Sequence, residues 1–217
     1  SPVDLAQVDV QRFQLIDWND DGCTDVYMIG LNGNDTVFLF NRQYNSFTPI
    51  QGIITNWPIN TNPSYASLDI SRYKFGDFDG NSLMDVYWKA GAVGSTTTDI
   101  VFLNQGNGKY TTKNGLTKPL GSGVNLDSAN LDMSRFRVDD FNADSVSDIY
   151  YVTGLGSALA DELWLGSSQG AFSPIAGPVT SISSSYSMAI LDIKRLNFGD
   201  FNGFFFLFFS FSFLFFF

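Results

Sequence analysis

Asp17-Trp18-Asn19-Asp20-Asp21-Gly22-Cys23-Thr24-Asp25 constrains this chain more than any other stretch. Oxygen-bearing side chains stand at positions 1, 3, 5 and 9 of the nonapeptide, with glycine at position 6. That spacing suits a hard cation held by several oxygens in a tightly curled loop. The frame returns at Asp77-Phe78-Asp79-Gly80-Asn81-Ser82-Leu83-Met84-Asp85 and at Asp140-Phe141-Asn142-Ala143-Asp144-Ser145-Val146-Ser147-Asp148. A fourth copy opens at Asp200-Phe201-Asn202-Gly203 and stops.

The loops start at 17, 77, 140 and 200, so the spacings are 60, 63 and 60 residues. Each start follows an Asp by eight residues and an Arg by five: Asp9 and Arg12, Asp69 and Arg72, Asp132 and Arg135, Asp192 and Arg195. Agreement over so long a frame identifies repeats of one supersecondary unit. The arginines are expected to pair with those aspartates or with the next unit.

Within each unit, short runs of β-branched and aromatic residues alternate with turn signals, and no stretch holds an apolar 3.6 period. The first unit predicts strands over Arg12 to Trp18, Asp25 to Leu31, Thr36 to Phe40 and around Phe47 to Ile50. The second predicts Arg72 to Phe78, Asp85 to Ala90, Asp99 to Asn104 and Lys109 to Thr112, with a hairpin turn at Gly106-Asn107-Gly108. The third predicts Arg135 to Phe141, Asp148 to Thr153, Glu162 to Gly166 and Ala171 to Ile175. Four strands per unit of about sixty residues is the layout of a propeller blade.

The units resemble the FG-GAP, or VCBS, repeats of integrin-α-type β-propellers, over roughly residues 5 to 203. In that family a loop of pattern D-x-[DN]-x-[DN]-G-x-x-D joins the first two strands of a blade and holds calcium. The resemblance implies an all-β, incomplete β-propeller of about three four-stranded blades plus the start of a fourth. The blades are placed at 1–60, 61–122 and 123–183, with the opening of the fourth at 184–203. About three Ca²⁺ sites are expected. The first uses Asp17, Asn19, Asp21, Asp25 and the carbonyl of Cys23. The second uses Asp77, Asp79, Asn81, Asp85 and the carbonyl of Leu83, and the third Asp140, Asn142, Asp144, Asp148 and the carbonyl of Val146. Ser82 and Ser145 depart from the glycine at position 6, and positive φ is expected to strain them. An EF-hand is excluded, because position 12 is Met28, Trp88 or Tyr151 rather than a bidentate Glu.

Composition narrows the function. The net charge of −10 repels nucleic acid, and three divalent ions would bring it to about −4. Histidine is absent and Cys23 is the single cysteine, so no intrachain disulfide forms and no catalytic constellation is visible. The chain is therefore read as a non-enzyme. No leader of charged, apolar and small residues opens it, so a secretion signal is expected to be removed or to lie outside.

Trp57, Trp88, Tyr150, Tyr151 and Trp164 are expected in the core rather than on sugars. Asn34-Asp35-Thr36 is a glycosylation sequon in a turn. Residues 204–217 contain only Phe, Leu and Ser. As a helix they would reach roughly 21 Å, short of a ~30 Å hydrocarbon core, so membrane insertion is not expected. Their residue types all have pyrimidine-only codons, and the tail is read as a translated sequence artefact.

The expected function is a calcium-stabilised extracellular or cell-surface module that binds protein or carbohydrate. The alternative is a propeller scaffold within a larger secreted protein, such as a toxin or cell-wall enzyme, with its chemistry elsewhere. In either case further blades or another chain are needed to close the ring.

Overall fold

The computed structural model describes residues 12–30, 35–53, 70–89, 99–116, 136–152, 161–177, 196–201 and 204–209. Asp9, Asp69, Asp132 and Asp192, Arg135 and Arg195, Trp57 and Asn34 lie outside them. Fourteen strands are present among the described residues. Sheet 1 is β1 (Phe13–Ile16), β2 (Asp25–Met28), β3 (Thr36–Asn41) and β4 (Ser46–Gln51). Sheet 2 is β5 (Tyr73–Gly76), β6 (Asp85–Trp88), β7 (Ile100–Asn104) and β8 (Tyr110–Asn114). Sheet 3 is β9 (Phe136–Asp139), β10 (Asp148–Val152), β11 (Asp161–Leu165) and β12 (Ser173–Ala176). All three are antiparallel meanders in which each strand pairs with its sequence neighbour. Ile70–Arg72 forms a short 3-10 turn.

Every strand foreseen in the first three units is present, one to three residues shorter or shifted at its ends. The Gly106-Asn107-Gly108 turn forms with φ of 78°, 54° and 70°. Three consecutive left-handed residues are tolerated there because two are glycines.

The sheets stack face to face. In sheet 1, Tyr27, Ile29 and Val37 point toward sheet 2 and meet Tyr73, Val86, Trp88, Ile100 and Phe102 in one apolar cluster. In sheet 2 the alternate residues, Tyr87, Val101 and Leu103, meet Phe136, Ile149, Tyr151 and Trp164 of sheet 3. Strand periodicity of two makes this possible, since successive side chains serve opposite faces. Sheet 2 is buried on both faces as a result: every residue of β6 and β7 is buried. Trp88, Tyr150, Tyr151 and Trp164 are all buried, so sugar stacking on these four is ruled out by packing.

A second repeated device ties each sheet together. Tyr27 donates its hydroxyl to Asp35 Oδ2 at 2.5 Å, Tyr87 donates to Asp99, and Tyr150 donates to Asp161 at 2.7 Å. The backbone carbonyls of those aspartates accept from Gly52, Gly115 and Gly177. A Cβ on Gly52 would come within 2.6 Å of the Asp35 Cβ, and one on Gly177 within 2.4 Å of the Asp161 carboxyl carbon, so these positions admit only glycine without a backbone shift. In sheet 2 the device includes Lys89, whose ammonium lies 2.7 Å from Asp99 Oδ1 with both side chains fully buried.

Burial pushes the Asp35 carboxyl up to about 6, against the pull of hydrogen bonds from Tyr27 and Gly30 and the Arg12 charge. A folded-state value above the free one means the folded chain binds the proton more tightly. The stability this group contributes is therefore fully present below about pH 4 and is lost as pH rises through about 6. A rise from the ordinary carboxylate value to about 6 corresponds to roughly 2–3 kcal/mol. Asp35→Asn should remove that part of the pH dependence, so urea denaturation of wild type and variant at pH 4.5 and 7.5 should give unequal differences. Equal differences at both pH values would overturn the assignment.

The Phe-rich segment contributes a strand. β13 (Leu196–Phe201) pairs antiparallel with β14 (Phe204–Phe209), with Phe201 opposite Phe204. Asp200 and Phe201, read from the sequence as the opening of a fourth loop, thus lie within a hairpin strand.

Candidate metal centre

Each nonapeptide links the first two strands of its sheet, as the spacing predicts. The three loops share one backbone. Position 6 is left-handed in all of them, at Gly22 (φ 76°), Ser82 (66°) and Ser145 (68°). Position 4 is left-handed too, at Asp20 (57°), Gly80 (74°) and Ala143 (59°). The strain expected at Ser82 and Ser145 is therefore present, and position 4 adds a requirement that sequence inspection missed. Only the third loop lacks glycine at both places. Left-handed backbone costs a residue with a Cβ about 1–2 kcal/mol. The double substitution of Ala143 and Ser145 by glycine should therefore raise stability by about 1–2 kcal/mol, part of the gain being offset by greater freedom in the unfolded chain. Gly80→Ala should lower it, because a Cβ there would also meet Val146 Cγ2 at 3.2 Å. Denaturant midpoints decide both.

The carboxylate at position 1 organises the turn. Asp17 accepts from the N–H groups of Asp21 (3.2 Å) and Gly22 (2.9 Å). Asp77 accepts from Asn81 (3.1 Å) and Ser82 (2.7 Å), and Asp140 from Asp144 (3.1 Å) and Ser145 (2.8 Å). The oxygen at position 5 accepts from the N–H at position 7: Asp21 from Cys23 (2.8 Å), Asn81 from Leu83 (2.7 Å), Asp144 from Val146 (2.9 Å). These bonds curl the chain around the position 1 carboxylate.

Position 9 is built differently. Asp25, Asp85 and Asp148 are fully buried, and each spends both oxygens on backbone donors. One donor is the position 2 N–H of Trp18 (3.0 Å), Phe78 (2.7 Å) or Phe141 (2.9 Å). The other belongs to the end of the third strand, at Phe40 (2.7 Å), Asn104 (2.6 Å) or Gly166 (2.7 Å). This residue is a clamp between loop and sheet. Burial pushes the Asp85 carboxyl up to about 8, with the charges of Asp79 and Asp77 adding to it and the two N–H donors opposing. Asp25 and Asp148 are raised for the same first reason.

Loop 2 brings carboxylate oxygens of Asp77, Asp79 and Asp85 within 4.8 Å of one another. Among the described residues, loops 1 and 3 do not bring three acidic groups that close, and their position 3 is an asparagine, Asn19 or Asn142. In loop 1 the Asn19 Oδ1 atom is shut off from solvent and has no donor. A converged set of hard oxygens in loop 2 and an orphaned acceptor at a ligand position in loop 1 both fit a hard divalent cation.

Position 2 is aromatic in every loop, a regularity whose meaning only packing reveals. Trp18 lies 5.5 Å from Tyr27 and 6.2 Å from Tyr110 of sheet 2. Phe78 lies 6.1 Å from Tyr87 and 5.8 Å from Phe172 beside sheet 3. Consecutive loops also touch through backbone. Met84 N–H donates to the Trp18 carbonyl (3.2 Å) and Ser147 N–H to the Asp77 carbonyl (2.6 Å). The loops therefore form a connected row along one end of the stacked sheets.

Of the repeated arginines, Arg12 and Arg72 lie among the described residues, and the aspartates expected to pair with them do not. Arg12 Nη1 donates to the Ile29 carbonyl and Arg72 Nη1 to the Lys89 carbonyl, both at 3.4 Å. A shallow cleft of about 460 Å³ opens beside loop 1, between Asn19, Asp21 and Cys23 and the β3–β4 turn at Asn41, Arg42 and Gln43. Among the described residues, no helix is long and apolar enough to cross a membrane.

No protein-family model matches the chain, and no curated protein matches it. Among solved structures it is similar to a chain of the Photorhabdus luminescens Tc holotoxin pore carrying the mutation TccC3-D651A. The TM-score is 0.49 and the identity 19%, over 82% of this chain and 7% of that one. The chain thus spans a small fraction of the protein it matches, and a likeness of this strength carries no functional information.

Proposed function

We propose that the three sheets are blades of a β-propeller of the FG-GAP type, and that the three loops hold Ca²⁺. The observation that carries this reading is the shared loop backbone, left-handed at positions 4 and 6, with the oxygens of Asp77, Asp79 and Asp85 within 4.8 Å. The ion would be held by Asp17, Asn19 and Asp21 in loop 1, by Asp77, Asp79 and Asn81 in loop 2, and by Asp140, Asn142 and Asp144 in loop 3. The carbonyls of Cys23, Leu83 and Val146 complete the sets, and Asp25, Asp85 and Asp148 close them through oxygens already bonded to the backbone. Bound calcium supplies charge neutralisation and stiffens the end of each sheet.

On this reading the protein is a recognition or adhesion module of the cell exterior, not an enzyme, and it presents protein- or carbohydrate-binding loops beside the metal row. The cleft flanked by loop 1, Arg42 and Gln43 is the candidate contact surface. Sites of extracellular modules bind calcium at roughly 10⁻⁴–10⁻³ M, which cytosolic concentrations leave empty. Calorimetric titration of the chain should reveal about three calcium sites in that range, one of them lost in Asp21→Ala. Absence of binding at millimolar calcium would reject the proposal.

A further inference from the structure

Asn-Gly pairs stand in the sequence at Asn32-Gly33, Asn107-Gly108, Asn114-Gly115 and Asn202-Gly203. The first and last lie outside the described residues. The other two belong to sheet 2 and place one dipeptide in two settings. An asparagine before glycine is open to attack on its side-chain amide by the next backbone nitrogen. Glycine has no Cβ to shield that nitrogen or to restrict the rotation that brings it close. In a folded chain the attack then depends on what holds the glycine N–H.

At Asn114 that N–H is held. Asn114 ends β8 opposite Ile100, and the Gly115 N–H donates to the Asp99 carbonyl at 2.7 Å. The packing is close as well, since a Cβ on Gly115 would come within 2.7 Å of the Asp99 Cβ and 2.8 Å of the Tyr87 ring. At Asn107 the setting is different. Asn107 is exposed in the β7–β8 turn, and the Gly108 N–H has no acceptor among the described residues. The turn is closed by Lys109 N–H on the Gly106 carbonyl (3.1 Å) and Gln105 N–H on the Lys109 carbonyl (2.8 Å), neither of which uses that nitrogen. Glycine on both sides of Asn107 lets the backbone rotate toward ring closure. The Asp-Gly pairs of the metal loops are held as Gly115 is: Gly22 N–H donates to Asp17 at 2.9 Å and Gly80 N–H to Asp77 at 2.7 Å.

We infer that Asn107 is a site of spontaneous deamidation, and that its isoaspartyl product loosens the turn that braces loop 2. The Gly108 nitrogen gives its proton to solvent base and attacks Cγ of Asn107. A C–N bond forms, the side-chain nitrogen leaves as ammonia, and a succinimide ring remains. Water opens the ring at either carbonyl to give aspartate or isoaspartate, so no oxidant or cofactor enters. Isoaspartate adds a methylene to the backbone and displaces the Lys109 N–H from the Gly106 carbonyl. Asn104 carries the change onward. Its Oδ1 accepts from the Gly106 N–H (2.9 Å), its Nδ2 donates to the Met84 carbonyl (3.1 Å), and its carbonyl accepts from Asn81 Nδ2 (2.9 Å). Phe40 and Gly166 stand at the equivalent place in sheets 1 and 3 and have no side-chain amide for this role.

The whole chain is incubated at mildly alkaline pH, and conversion is followed by peptide mass mapping and by enzymatic methylation of isoaspartate. Asn107 should convert about tenfold or more faster than Asn114, because Gly115 must first be freed by local opening of the sheet end. In urea the two rates should come together, since the dipeptide is the same and the fold no longer separates them. Equal rates in the folded chain, or faster conversion at Asn114, would overturn the assignment. Reaction at neither position in the folded chain, with both reacting in urea, would overturn it too. Hydrogen exchange of the Gly106 and loop 2 amides should quicken in the converted protein, and unchanged exchange there would overturn the link to loop 2. None of these readouts requires metal in the loops.

Discussion

Asp85→Ala is expected to destabilise the metal-free protein by about 3–5 kcal/mol, one of the two largest effects of any change considered. The substitution leaves the N–H groups of Phe78 and Asn104 without their acceptor in a fully buried setting. A buried donor stranded in this way costs about 1–3 kcal/mol, and two are stranded here. Removing the desolvated carboxyl relieves part of the loss, which sets the range below the sum. Asp79→Ala is the matched control. That side chain is only half-buried and accepts from Asn81 N–H at 3.2 Å, so its loss in chelator should cost under about 1 kcal/mol. Denaturant unfolding in chelator compares the two. Equal costs would mean that position 9 is not the clamp between loop and sheet.

Calcium itself should have the other large effect. At a concentration 100 times the dissociation constant, one site stabilises by about 2.7 kcal/mol. Three such sites on stacked sheets that unfold together would contribute about 8 kcal/mol. For a chain of this size each kcal/mol moves the melting temperature by roughly 2–4 °C, so calcium at that excess should raise it by roughly 15 °C or more over chelator. Asp77→Ala should remove about a third of that gain, since Asp77 both shapes loop 2 and supplies a ligand. Magnesium should give a small part of the effect, because it holds its waters and demands a stricter octahedron. Identical melting in calcium and chelator would sink the metal reading, whereas a calcium gain unchanged in Asp77→Ala would place the ion elsewhere.

Much of this protein was legible in the order of its residues. The recurrence of Asp at positions 1 and 9, the strand-length apolar runs between the loops and the glycine turn at residues 106 to 108 all follow from local rules. Two-residue alternation, chain curling around an Asx carboxylate and the left-handed tolerance of glycine act over a few residues, so a linear reading reaches them. The twelve strands of the first three sheets stand where those rules put them.

The tertiary structure decided what each repeated residue does. Asp25, Asp85 and Asp148 read as ligands no different from their neighbours, yet packing buries them and turns both oxygens to the backbone, one toward a strand some 15 to 19 residues away. Tyr27, Tyr87 and Tyr150 recur at the loop spacing, but their hydroxyl bonds to Asp35, Asp99 and Asp161 depend on cross-strand register. The Phe-rich segment, set aside on composition, pairs as a strand with Leu196–Phe201 because backbone hydrogen bonding is indifferent to such bias. Local chemistry is written in short intervals of sequence, whereas burial and the choice of partner depend on which faces meet. Those faces are brought together only when the sheets stack.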